Sequence, residues 1–72
     1  MRSDNNADVL HGFDAIGRHL GMTGEAARQR VRREKIPVVR SGRRVWIRRS
    51  TLNAWLAERE AEAARRAEGG RQ

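Results

Sequence analysis

The sequence predicts an α+β fold, in which three helices accompany a two-stranded β-hairpin. Two short segments with the apolar spacing of a helix are separated by a glycine turn, two β-prone runs flank Ser41-Gly42, and a long helix-forming segment follows them. The chain has 72 residues. A chain of this size forms one domain with a small core, so nearly every large apolar side chain must contribute to that core.

The first helix is predicted to begin near residue 10, after a polar segment, residues 1–9, that we expect to be flexible. One apolar stripe with i, i+3 and i+7 spacing runs along the helix, through Phe13, Ile16 and Leu20. Gly17 lies inside it, where glycine costs up to about 1 kcal/mol relative to alanine. Either a second helix approaches closely at this position, or the helix is merely weak.

A tight turn is predicted between the first and second helices. Gly21 suits the left-handed residue that follows a helix, and Thr23 suits the N-cap of the next. Two helices joined by about three residues that include glycine form a helix-turn-helix. In the second helix, roughly Gly24 to Glu34, Ala27 and Val31 are the clear apolar face.

The opposite face of the second helix carries side chains that can read base edges. Arginine matches guanine and glutamine can bind adenine in a bidentate manner. The alternative is an ordinary solvated face, but the acids that would neutralise these arginines are scarce. We therefore expect this helix to contact DNA through Thr23, Glu25, Arg28, Gln29, Arg32 and Arg33.

Pro37 ends the second helix and a hairpin is predicted to follow it. Val38-Val39 forms one strand and Val45-Trp46-Ile47 the other, with Ser41-Gly42 as the turn and Trp46 on the outer face. Basic residues also protect sheet edges from aggregation. Their position at a hairpin tip beside a basic helix favours a DNA-binding wing instead, with contacts from Arg40, Arg43, Arg44 and Arg48.

A third helix is predicted to start with Ser50 as its N-cap and to close the core, completing a domain over residues 10–57. Its apolar residues are Leu52, Trp55 and Leu56. Residues 58–72 continue as a polar helical extension, with an expected Glu62 to Arg66 pair, until Gly69-Gly70. This extension is either solvated or a surface for a protein partner, which would comprise Trp46, Glu58, Glu62 and Arg66.

The net charge of +7 is concentrated in the middle third of the chain. Between Arg28 and Arg49 there are ten basic residues and one acid, Glu34, whereas the flanking segments are close to balanced. A one-sided positive field of this kind is typical of proteins that bind polyanions.

Other classes of function have little support. There is no cysteine, no membrane-length apolar run and no signal peptide, which predicts a cytoplasmic protein without membrane contact. His11 and His19 lack partners for a metal site. No catalytic constellation or phosphate loop is present, so we expect no enzyme activity, cofactor or metal. Single-stranded RNA recognition would need more aromatic residues.

Thr23 through Leu56, and more loosely Leu10 through Leu56, resemble the winged helix-turn-helix domains of phage and mobile-element excisionases, which are MerR-like in fold. The resemblance lies in LGMT at the turn, in Ile36-Pro37 and in GRRVWIRRSTLNAWL. It implies a recognition helix over Thr23 to Glu34 and a wing over Arg40 to Arg48. Three departures are Glu34 in place of a glycine, Val45 in place of an aromatic residue, and Ile16-Gly17 in place of two small residues.

The function predicted from the residues and the resemblance is sequence-selective binding of double-stranded DNA. The resemblance implies an excisionase-type recombination directionality factor, which binds and bends DNA for a recombinase or integrase, with neighbouring copies side by side. The alternatives are a small transcription regulator, the DNA-recognition module of a phage terminase small subunit and, without DNA, an oligomerising adaptor.

Overall fold

The computed structural model describes residues 8–70, which form three helices and one small antiparallel sheet. In chain order the elements are β1 (Val9–His11), α1 (Gly12–Leu20), α2 (Gly24–Glu34), β2 (Val39–Ser41), β3 (Arg44–Arg48) and α3 (Arg49–Gly70). The predicted α+β class is confirmed. The predicted number of strands is wrong, because the sheet has three strands in the order β1-β3-β2.

The additional strand, β1, was expected to be part of a flexible segment and of the first helix. Leu10 pairs with Ile47 of β3 and is 6% exposed, so it belongs to the sheet and the core. Helix α1 accordingly begins at Gly12, later than predicted. The backbone N–H of Arg49 donates to the carbonyl of Asp8 at 2.6 Å, which ties the start of β1 to the start of α3. Residues 1–7 of the predicted flexible segment lie outside the described residues.

The turn between α1 and α2 agrees with the sequence prediction. Gly21 is left-handed, with φ 77°, and the Thr23 hydroxyl accepts a hydrogen bond from the Ala26 backbone N–H at 3.1 Å. Gly17 is buried, and a Cβ there would lie 2.6 Å from the Met22 carbonyl oxygen. Gly17 therefore permits a close approach, but the approaching atoms belong to the turn that leads into α2 and not to the second helix itself.

Helix α2 has Glu34 where the excisionase domains that it resembles often have a glycine, so the helix ends by another means. Glu34 is still helical, and Lys35 takes the left-handed conformation with φ 54°. Its backbone N–H donates to the Val31 carbonyl, which caps the helix. Ile36 then turns into the core, where it is 4% exposed.

The hairpin is present, but its turn is one residue later than predicted. Ser41 pairs with Arg44, so the turn consists of Gly42 and Arg43, and Gly42 has φ 62°. A glycine with positive φ at the first turn position is typical of type II′ hairpins. The first hairpin strand, β2, is likewise shifted, to Val39–Ser41.

The core lies between the inner face of the sheet and the three helices. Three large side chains are fully buried: Ile16 of α1, Ile47 of β3 and Leu52 of α3. Val45 and Ile47 face inward and Trp46 faces outward, as the alternation predicted. Phe13, Trp55 and Leu56 are only half-buried, so they pack at the margin of the core.

Helix α3 begins at Arg49, immediately after β3, so the prediction of Ser50 as its N-cap is wrong. Its backbone continues through Gly70, past the predicted break at Gly69-Gly70. Its 22 residues span about 33 Å, and residues 57–68 are all exposed. Among residues 8–70, no helix combines the length and the apolarity needed to cross a bilayer.

Candidate nucleic-acid interface

Helix α2 presents a basic face because its two buried residues lie on one side. Ala27 and Val31 are 0% and 3% exposed and pack into the core. Arg28 and Arg32, one residue later in each case, consequently lie in solvent. Thr23 precedes them at the N-cap. Its oxygen accepts the capping hydrogen bond, so its hydroxyl proton can still be donated to a ligand.

Glu25 holds the neighbouring polar side chains of this face. The Arg28 guanidinium donates from Nε to Oε1 at 3.3 Å and from Nη2 to Oε2 at 2.7 Å. The Gln29 amide donates to the same Oε2 at 3.2 Å. Acids on this face are scarce, as predicted, but one carboxylate at i−3 is sufficient to pair with Arg28.

The pairing at Glu25 affects the protonation of both partners. The hydrogen bond from Arg28, followed by that from Gln29, holds the pKa of Glu25 below the ordinary glutamate value of 4.5. In return the Glu25 carboxylate raises the pKa of Arg28 further above its usual range. Both side chains therefore remain ionised at neutral pH, and the exposed face of α2 contains a fixed negative charge among its positive charges.

A second acid, Glu34, organises the C-terminal end of α2 and connects it to α3. Its carboxylate lies 3.3 Å from Arg30 Nε, 3.9 Å from Arg33 Nη2 and 3.7 Å from Arg59 Nη2. The Arg30 and Arg59 guanidinium groups also lie 5.8 and 5.3 Å from the centre of the Trp55 ring. Arg30 thus packs between Glu34 and Trp55, whereas the predicted DNA-contacting residue Arg33 remains largely exposed.

The structure brings the basic face of α2 and the hairpin together at one shallow groove of about 310 Å³. The groove is lined by Phe13, Arg28, Arg32 and Arg40. Arg40 reaches it because it pairs with the buried Val45 and therefore points to the inner, helix-bearing side of the sheet. Three arginines from two elements line this groove, and within residues 8–70 none of its lining residues is acidic. We call it the arginine groove.

The other basic residues of the hairpin do not lie at the arginine groove. Arg44 and Arg48 alternate with the inward Val45 and Ile47, so they share the outer face with Trp46. Arg43 occupies the turn. Arg43 and Arg44 line a separate open depression of about 520 Å³ together with His11, Gly12 and Val45. The hairpin arginines, predicted as one contact set, therefore divide between two faces of the sheet.

The residues predicted to form a protein-partner surface also lie apart. Trp46 is half-buried on the outer sheet face, where its cross-strand neighbours are His11 and Val39. The remaining three, Glu58, Glu62 and Arg66, are exposed on the α3 extension. Glu62 lies 3.8 Å from Arg59 Nη1, so the partner found for it is Arg59 and not the predicted Arg66.

The two histidines do not meet. His11 is exposed at the end of β1, whereas the His19 Nε2 lies 2.8 Å from Asn53 Oδ1 on α3. Within residues 8–70 no group of three histidine or carboxylate side chains could hold a metal ion.

No protein-family model, curated protein or solved structure significantly matches the chain. The function proposed below therefore depends on the chain's own residues.

Proposed function

We propose that the protein is a non-enzymatic, sequence-selective binder of double-stranded DNA, with a winged helix-turn-helix arrangement. In this proposal α2 is the recognition helix and the β2–β3 hairpin is the wing. The observation that carries it is the arginine groove, which Arg28, Arg32 and Arg40 line from two elements.

The shape of this basic surface favours duplex DNA over other polyanions. An exposed helix fits the major groove of B-DNA, and arginine and glutamine on that helix match purine base edges. A neighbouring hairpin can then contact phosphates or the minor groove. Recognition of unpaired bases usually relies on several stacking rings, whereas Phe13 is the one aromatic residue that lines the arginine groove among the described residues.

The sequence resemblance suggests a more specific role as an excisionase-type recombination directionality factor, which would bend DNA for a recombinase or integrase. A small transcription regulator and a terminase small-subunit module would use the same basic surface. An oligomerising adaptor would instead use the exposed α3 extension.

The dependence of DNA affinity on salt tests this proposal. If about six phosphates are neutralised, the logarithm of the association constant for a duplex oligonucleotide should fall against log salt with a slope of about −5. Arg40→Ala, which removes the hairpin arginine from the arginine groove, should reduce the magnitude of that slope by about 1 and weaken binding to all sequences alike. Arg32→Ala should, in addition, change which sequence is preferred.

Arg65→Ala is the matched control, because Arg65 is exposed on α3 beyond the core. It removes the same charge from the chain and should leave both the slope and the sequence preference nearly unchanged. A flat salt response of the unaltered protein would contradict DNA binding through this surface.

A further inference from the structure

Glu25 is an acid on the surface that is proposed to bind DNA. It lies in the first turn of α2, and its side chain is 63% exposed beside that of Arg28, which is 45% exposed. A carboxylate at this position would repel the phosphates of any bound DNA. The Glu25 carboxylate also interacts favourably with the positive end of the helix dipole. An exposed Glu–Arg pair, however, stabilises a helix by only a few tenths of a kcal/mol.

The hydrogen bonds at Glu25 leave the base-reading edges of its two partners available. Arg28 uses Nε and Nη2, which form one side of the guanidinium. The N–H donors of Nη1 and the second N–H of Nη2 remain available, and together they can donate to the O6 and N7 atoms of guanine. Gln29 donates one Nε2 hydrogen and keeps its Oε1 and its second hydrogen, which are the two groups that bind adenine.

From this geometry we propose that Glu25 is a positioning residue for sequence discrimination, which fixes Arg28 and Gln29 in the orientation that reads base edges. The inference depends on the function proposed above. Two long side chains that are held before binding lose less conformational freedom when they meet the correct bases. The same negative charge weakens attraction to every DNA sequence, so specificity rises while general affinity falls.

The test begins with duplexes selected from a random-sequence pool by the unaltered protein. Affinity is then measured for a selected duplex and for an unrelated duplex of equal length. Glu25→Gln should strengthen binding to the unrelated duplex and reduce the ratio of selected to unrelated affinity by about threefold or more, and by no more than the roughly 5- to 150-fold that one bidentate base contact supplies. Glu25→Ala should do the same, and the unfolding midpoint should change little.

Glu60→Gln is the control, because Glu60 is exposed on the α3 extension and the substitution changes the net charge equally. It should leave the affinity ratio unchanged. Glu25→Gln is also measured in an Arg28→Met, Gln29→Met background. With both partners removed, loss of the Glu25 carboxylate should have no further effect on the ratio.

Three outcomes would overturn the inference. An unchanged ratio in Glu25→Gln would assign the carboxylate a purely electrostatic effect. An equal loss of ratio with and without Arg28 and Gln29 would mean that Glu25 contacts a base itself. A loss of affinity for both duplexes together with a lower unfolding midpoint would assign it a structural role. If the unaltered protein selects no sequence, the proposed function fails before Glu25 is tested.

Discussion

At the scale of single residues, Glu25 and Glu34 show how two acids organise a basic helix. Each lies within one or two helical turns of several arginines, and each holds a different set of side chains. Glu25 orients Arg28 and Gln29 on the exposed face, whereas Glu34 joins the end of α2 to Arg59 on α3. A net charge alone would not distinguish these two arrangements.

The Glu25 pairing gives a prediction about protonation. The pKa of Glu25 should lie below 4.5 in the folded protein and should rise toward 4.5 in Arg28→Met, because Arg28 is the main cause of the lowered value. A lowered carboxylate pKa means that the pair contributes stability above pH 4.5 and loses it as the pH falls through the folded-state pKa. Carbon-13 NMR of the side-chain carboxyl group measures this titration.

Arg32→Met is the control for this titration, since Arg32 lies on the same helix but makes no hydrogen bond to Glu25 among the described residues. It should leave the pKa of Glu25 nearly unchanged. An identical pKa for Glu25 in the unaltered protein and in Arg28→Met would show that the two side chains are not paired in solution.

At the scale of elements, the first turns of α3 pack against the core, and the later turns are exposed to solvent. Leu52 is fully buried, and Trp55 packs at the core margin beneath two guanidinium groups. From residue 57 onward every described side chain is exposed. The first half of α3 therefore belongs to the folded domain, and the second half projects from it.

The anchoring of α3 predicts different effects for the same substitution at the two tryptophans. Trp55→Ala should lower the free energy of unfolding by about 2 to 3 kcal/mol, because it removes both apolar contacts and two cation–π interactions. Trp46→Ala should cost about 1 kcal/mol or less, since Trp46 lies on the outer sheet face and, among the described residues, is not one of those packed against the core. Urea denaturation compares the two, and a larger loss for Trp46→Ala would contradict this account of the core.

The elements that the sequence predicts well are those with local signals. Gly21 and Thr23 mark the turn between α1 and α2, because helix caps depend on residues adjacent in the chain. Strand β1 was missed, since three residues are too few to show alternation and its hydrogen-bonding partner is β3, far along the chain. The one-residue error at the hairpin turn has a similar cause, because pairing across the whole sheet sets the register.

The candidate site was predictable in composition but not in geometry. The basic residues of α2 and of the hairpin were identified from the sequence. That Arg40 faces α2 while Arg44 and Arg48 face away follows from the observed register. The pairing of Arg28 with Glu25 is local and could have been inferred from the i, i+3 spacing, even though acids are scarce on this helix as a whole.

At the scale of the whole molecule, the described chain offers one exposed basic helix and one hairpin. Such a module covers too few base pairs for high selectivity in a genome. We predict a monomer in solution that gains affinity when copies bind adjacent sites on DNA. Sedimentation of the free protein, together with titration of DNA carrying one, two or three sites, measures this, and the affinity per site should increase with the number of sites.

Spacing supplies the control for that prediction. Insertion of about five base pairs between two sites places the second copy on the opposite side of the duplex, because one turn of B-DNA is about 10 base pairs. The gain in affinity should then disappear. A stable dimer in the absence of DNA, or equal affinity per site at every site number, would show that the copies do not cooperate in this way.

The pairing of β1 with β3 also affects the order in which the molecule can be completed. During synthesis the residues of α1 and α2 emerge before those of β3, so Leu10 has no strand partner until Ile47 has been added. Contacts between distant parts of a chain require closure of a long loop and form slowly. A nascent chain that stops before Arg44 leaves Leu10 unpaired and lacks the core residues Val45, Ile47 and Leu52, so it cannot reach the native state however well its helices form.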